Sequence, residues 1–175
     1  MKKGGGKAKG GEFERWVCKQ LSLAISNDKR DDIFWRSAMS GGRATVKFKK
    51  GVKNVTQVGD ISAIDPIGNK LTDKFVIECK RYKNIRWDSL IYGTPTGGNI
   101  LEFWQKVQEE AIRVKKSPLL IIKENGRIPV ICINYFTNIE HPVITSNYFK
   151  VFWFSNFLKN IKKFTEKRKI KINYE

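Results

Sequence analysis

Phe75-Val76-Ile77-Glu78-Cys79-Lys80 sets one carboxylate and one ammonium into an otherwise apolar run, and its reading decides the fold. Its β-branched and aromatic residues favour a strand. Side chains alternate along a strand, so Glu78 and Lys80 share one face while Ile77 and Cys79 share the other. Upstream, Val58-Gly59-Asp60 supplies a second carboxylate. Gln57 to Ile64 and Lys74 to Arg81 read as two central strands. The turn-like Asp65-Pro66-Ile67-Gly68-Asn69 between them predicts a hairpin that brings Asp60 alongside Glu78. A surface ion pair of Glu78 and Lys80, with Asp60 as a turn carboxylate, is the alternative. The flanking apolar runs favour a buried strand, in which charge must be neutralised by a partner or a cation.

Working outward, Met1 to Gly10 is glycine and lysine with almost no apolar content, which predicts a flexible basic arm. A helix follows from about Glu12 to Ile25, with Phe13, Trp16, Val17, Leu21, Ala24 and Ile25 on one stripe. Ile33 to Arg36 reads as a short strand leading to the glycine turn Ser40-Gly41-Gly42. Tyr82 to Asn99 reads as a loop. Ile100 to Lys116 is a second helix, with Leu101, Trp104, Val107, Ala111 and Val114 inward. Pro118 to Lys123 and Arg127 to Ile133 read as strands joined at Glu124-Asn125-Gly126. Asn147 to Phe154 adds a strand, and Ser155 is the expected N-cap of a final helix over Phe157, Leu158, Ile161 and Phe164. Trp16, Trp104 and Trp153 are expected in the core, whereas Trp35 and Trp87 are left open for base stacking.

The order predicts an α/β fold, a mixed β-sheet flanked by helices with an αβββαβ core. One domain over residues 11–175 is expected, with its core at about 11–133 and an elaboration at 134–175.

Composition narrows the function. Thirty-four Lys and Arg against seventeen Asp and Glu give a net charge of +17, which points to a polyanionic partner. There is no apolar run of bilayer length and no apolar signal segment, so a cytoplasmic protein is expected. Cys18, Cys79 and Cys132 are scattered in apolar surroundings and read as buried free thiols. A lone His141 and the lack of a CxxC pair exclude a zinc-type cluster.

Two carboxylates and a lysine at one point suit a divalent cation and a phosphate. Asp60 and Glu78 serve as ligands, the Cys79 backbone carbonyl can add a third oxygen, and Lys80 faces the water or phosphate. Magnesium, with manganese able to substitute, is the expected cofactor, and no small-molecule cofactor is expected.

At these residues the chain resembles the PD-(D/E)xK, restriction-endonuclease-like nucleases, in which an acidic residue and an E-x-K lie on adjacent strands of a hairpin. Gly59 stands where the family name has proline. More of the chain resembles the cellular Holliday junction resolvases of that superfamily, especially the archaeal type with its phage and viral relatives. Lys9-Gly10 followed by Glu14-Arg15 is similar to their K-G-x-x-x-E-R opening, and Arg36 followed by Ser40-Gly41 to their R-x-x-x-S-G turn. The resemblance implies that Glu14, rather than Glu12, completes the metal site, and that Arg36 and Ser40 approach DNA phosphate. It also implies a homodimer that makes paired nicks in four-way junctions. Lys9, Arg15, Arg43, Lys83 and Gln105 complete the expected DNA contacts, although Ser40 could equally cap its turn. A DNA-processing nuclease with another substrate, or a basic DNA-binding protein without catalysis, are the competing readings.

Overall fold

The computed structural model describes residues 5–37, 58–92, 99–134 and 141–165. Ser40, Arg43 and the basic stretch from Lys47 to Lys53 lie outside the described residues. A long first helix, α1 (Gly5–Ser26), is followed by a small antiparallel pair, β1 (Phe34–Arg36) and β2 (Ile61–Ala63). Helix α2 (Pro66–Thr72), strand β3 (Phe75–Tyr82), the short α3 (Ser89–Tyr92) and helix α4 (Asn99–Arg113) come next. Then come β4 (Ser117–Glu124), β5 (Val130–Ile133), β6 (Ile144–Thr145), β7 (Lys150–Trp153), α5 (Phe154–Lys159) and α6 (Ile161–Thr165).

The main sheet has the order β3-β4-β5-β7-β6 among the described residues. β3 and β4 run parallel, with α4 in the crossover, and the remaining neighbours are antiparallel. This is the expected mixed sheet between helices, in the αβββαβ order, with α2 inserted before the third strand. The pleat divides the apolar side chains of β3 and β4 between the two faces. Phe75, Ile77, Cys79, Leu119 and Ile121 face a cluster with Phe13, Val17 and Leu21 of α1. Val76, Leu120 and Ile122 face Phe103, Trp104, Val107 and Ala111 of α4. Each such aliphatic or aromatic side chain contributes about 1.5–3 kcal/mol when fully removed from water.

Several expectations are corrected. The predicted hairpin between Asp60 and Glu78 does not form. Asp65 instead caps α2: its backbone is extended, its carboxylate accepts from the Ile67 N–H at 2.9 Å, and Pro66 occupies the first turn. Asp-Pro is a turn signal and equally a helix-start signal, and here the helix wins. β2 pairs with β1, not with β3. The first helix starts at Gly5 rather than Glu12, so the second half of the glycine–lysine stretch is helical. Gly11 is buried there, and a Cβ on it would stand 3.2 Å from the Arg36 guanidinium carbon.

Ser155 is not an N-cap. The cap position is Trp153, without a side-chain bond, and Asn160 divides the final helix into α5 and α6. The described residues 141–165 are no peripheral addition. Phe152, Phe154, Phe157, Ile161 and Phe164 share the core cluster with Phe13 and Leu21. Residues 83–92 after β3 include α3, and Asn99 at the start of α4 accepts from the Arg86 N–H and donates to the Asn84 carbonyl. Trp104 is buried as expected, but Trp16 and Trp153 are each 38% exposed. Trp16 lies against Phe13 and Phe154 at the rim of the core, with the Lys123 ammonium above its ring. No helix among the described residues is long and apolar enough to cross a membrane.

Candidate active site at the open edge of β3

Among the described residues β3 is the edge strand of the main sheet, and Asp60 occupies its open side. The Asp60 N–H donates to the Ile77 carbonyl at 2.8 Å, and the Cys79 N–H donates to Asp60 Oδ2 at 2.9 Å. The carboxylate thus stands in for the next strand's carbonyl. Gly59 makes this approach possible. Its φ is +79°, and a Cβ there would fall 2.7 Å from the Ile77 carbonyl oxygen. Proline, fixed near φ −65°, could not adopt this conformation, so the departure from the family pattern follows from the backbone. On its other side the Asp60 carbonyl accepts from the Ser37 N–H at 2.9 Å, which ties the residue to β1 as well.

Asp60 is 7% exposed. Burial, then the nearby Glu78 charge, push its carboxyl up to about 7, against the opposing pull of Lys80 and the Cys79 N–H. Glu78 is also raised, chiefly by burial, with Lys80 opposing. Burial alone would lower Lys80, but Glu78 and Asp60 outweigh it and hold the ammonium above its ordinary value. Lys80 Nζ donates to Glu78 Oε1. Cys79 places its side chain in the core, where burial raises the thiol well above its usual range. Burial likewise pushes Cys18 up to about 12 and raises Cys132, so none of the three is a ready nucleophile. Because the Cys79 N–H points to the open edge, the pleat directs its carbonyl to that edge too.

Glu14 approaches from α1. Its Oε2 accepts from the Arg36 Nε at 2.6 Å, and its charge contributes to raising Asp60. Gly11 leaves the space through which Arg36 reaches it. Glu12, the alternative on the same helix, is instead exposed and paired with Arg81 at 3.0 Å. The structure therefore brings Asp60, Glu78, Lys80 and the Cys79 backbone together and sets Glu14 beside them, committed to Arg36. Among the described residues, no group of three or more His, Cys, Asp or Glu side chains is arranged to hold a metal ion. Magnesium is commonly held by one or two carboxylates while keeping several waters. The fit rests on the Asp60–Glu78 pair, a buried carboxyl and a half-buried one in side-chain contact, with the Lys80 ammonium on Glu78.

Of the expected DNA contacts, Lys9, Arg15 and Lys83 are exposed, as phosphate-facing cations must be. Gln105 is exposed and donates to Glu109 of its own helix at 3.1 Å. The residue of α4 that sequence reasoning missed is Glu110. It is half-buried and raised by burial and by Asp60, and its carboxylate meets the Gly59 backbone N–H. Its position beside Ala111 and three residues after Val107, both inward-facing, is the signal that could have found it.

Comparison with curated proteins and with solved structures finds no match. The family described as "Phage putative PDDEXK endonuclease" matches residues 5–173, a span that includes every strand and helix above. With an acidic residue, an E-x-K and the supporting helices arranged on one sheet edge, the chain belongs to this phage PDDEXK endonuclease family.

Proposed function

We propose that this protein is a magnesium-dependent DNA endonuclease, and more specifically a Holliday junction resolvase that acts as a homodimer in the host cytoplasm. One observation carries the nuclease reading: Asp60 is clamped onto the β3 edge by the Cys79 N–H, next to Glu78 and Lys80. A magnesium ion on Asp60 and Glu78, with manganese able to substitute, would neutralise phosphate charge and acidify a water. Lys80 stays protonated, since both carboxylates favour its charged form. It acts as a fixed cation toward the developing phosphate charge rather than as a base. Asp60 needs no reorganisation to serve, because backbone bonds on both sides already fix it.

The junction specificity is supported by the Glu14–Arg36 pair. It joins the two segments, K-G-x-x-x-E-R and R-x-x-x-S-G, that resemble those of resolvases. The test is a labelled synthetic four-way junction and its matching linear duplex, each with magnesium or with chelator. Paired symmetric nicks in the junction alone are expected. Equal cutting of both substrates leaves a nuclease and removes the resolvase reading, and binding without any cutting removes both.

A further inference from the structure

A cavity of about 450 Å³ opens on the sheet face shared with Glu78 and Lys80, beyond α4. Its floor is Ile122, Val130 and Val151, and Trp87 and Trp153 line its sides. The strand pairings place it relative to the active site. Lys80 pairs with Ile122, Ile122 with Val130, and Val130 with Trp153, so all four stand in one row across the sheet. At about 4.8 Å per strand, Val130 is roughly 10 Å and Trp153 roughly 14 Å from Lys80 along that row.

The cavity is built before any ligand arrives. Glu124 accepts from the Trp87 Nε1–H at 3.3 Å and from the Ile85 N–H at 3.4 Å, and so fixes one wall. A carboxylate has about four acceptor positions, which leaves capacity for a further N–H donor. Arg127 lines the mouth and is exposed. A volume in the usual ligand range, an aliphatic floor and aromatic sides suit a flat ring. The remaining acceptor capacity of Glu124 suits the amino or imino group of a heterocycle. A guanidinium at the mouth, on a chain of net charge +17, suits a ring that is attached to phosphate.

We propose that this cavity is a nucleobase subsite, which takes an unpaired base of the DNA a few nucleotides from the cut and stacks it on Trp153. The inference deepens the proposed function and rests on it for the polymer. A base inside a duplex has no free face to offer, whereas a base at a branch point or in a single strand does. The subsite therefore selects DNA that offers an unstacked, unpaired base over continuous duplex, without reading sequence.

The test measures binding in chelator, where no cleavage occurs. Deoxyadenosine monophosphate should quench tryptophan fluorescence saturably, while deoxyribose 5-phosphate should not. Trp153→Leu, which keeps an apolar side chain, and Trp153→Ala should both abolish the quenching. Both should weaken binding to a duplex carrying unpaired bases by about tenfold and leave a blunt duplex unchanged. Equal weakening on both DNAs would overturn the subsite, as would quenching that survives Trp153→Leu. Loss of a dimer in sedimentation of Trp153→Leu would instead make the face a subunit contact and also overturn it. Base binding by a protein that cuts nothing would sink the nuclease reading and leave the subsite standing.

Discussion

The backbone of Gly59 packs so closely on Ile77 that a single added methyl would stand 2.7 Å from the Ile77 carbonyl oxygen. The neighbour is backbone in the middle of a sheet strand and cannot move aside. Gly59→Ala also places an L side chain at φ +79°, a strain of about 1–3 kcal/mol before any clash is counted. Gly59→Ala should lower the melting temperature and detach Asp60 from β3, with cleavage lost alongside. Thermal unfolding and nicking assays on the same preparation check this; an unchanged melting temperature would contradict the described turn.

Asp60→Asn and Lys80→Ala separate binding from chemistry. Asp60→Asn removes no cation, and Lys80→Ala removes one of the thirty-four lysines and arginines, so junction affinity should stay within about threefold of wild type. Cleavage should fall by at least about 10²-fold in each, since each removes fixed charge from the reacting centre. Band-shift and nicking assays give the two readouts, and full cleavage by both variants would refute the site.

Metal-free protein should become less stable as pH rises from about 4 to about 7. Asp60 has an ordinary value of 3.8 and titrates near 7 when folded. Between those values the native state keeps a proton that the unfolded chain has lost, so stability falls with rising pH and stays low above 7. Denaturant unfolding in chelator should show this slope, and Asp60→Asn should flatten it. Added magnesium should raise stability most at the upper end of the range.

Gln105 and Glu110 make opposite predictions on one helix. Gln105→Ala loses only a surface contact to Glu109 and should cut at the wild-type rate. Glu110→Ala removes the carboxylate that meets Gly59 and repels Asp60. Its cleavage should drop about tenfold, below the usual range for a direct acid–base group, with a changed magnesium requirement. Rate against magnesium concentration distinguishes the pair.

Phe157→Ala should cost about 3–5 kcal/mol, the usual range for a fully buried phenylalanine. Phe157 is 0% exposed and packs on Phe154 and Phe164. Truncation after residue 134 should leave no cooperative unfolding transition, because β7 fills the sheet beside β5. A folded, truncated protein would show that the C-terminal segment is dispensable after all.

Much of this molecule was legible in the chain. The alternation in β3 correctly separated Glu78 and Lys80 from Ile77 and Cys79, and the 3.6-residue stripes located α1 and α4. The spatial meeting of Asp60 and Glu78 was foreseen by a wrong route. Asp65-Pro66 fits a hairpin turn and a helix cap equally well locally, and only packing of α2 against β2 and β3 decides between them. Glu110 escaped because one carboxylate at the border of an inner stripe looks like any solvated helix residue. Trp16 and Trp153 were placed inside by periodicity, which gives the face of an element but not how far the core extends over it. The C-terminal strands and helices carry no chemical motif, and apolar spacing alone gives the elements without showing that they complete the core.

The way Asp60 lies along β3 has a further effect, on self-association. An unpaired strand at a sheet margin invites a strand from another chain, and proteins guard such margins. Among the described residues one flank ends in β6, two residues long, and the other is plugged by Asp60, whose carboxylate takes the Cys79 amide. The acid proposed for the chemistry thus also occupies the amide that a strand from a crowding copy would need.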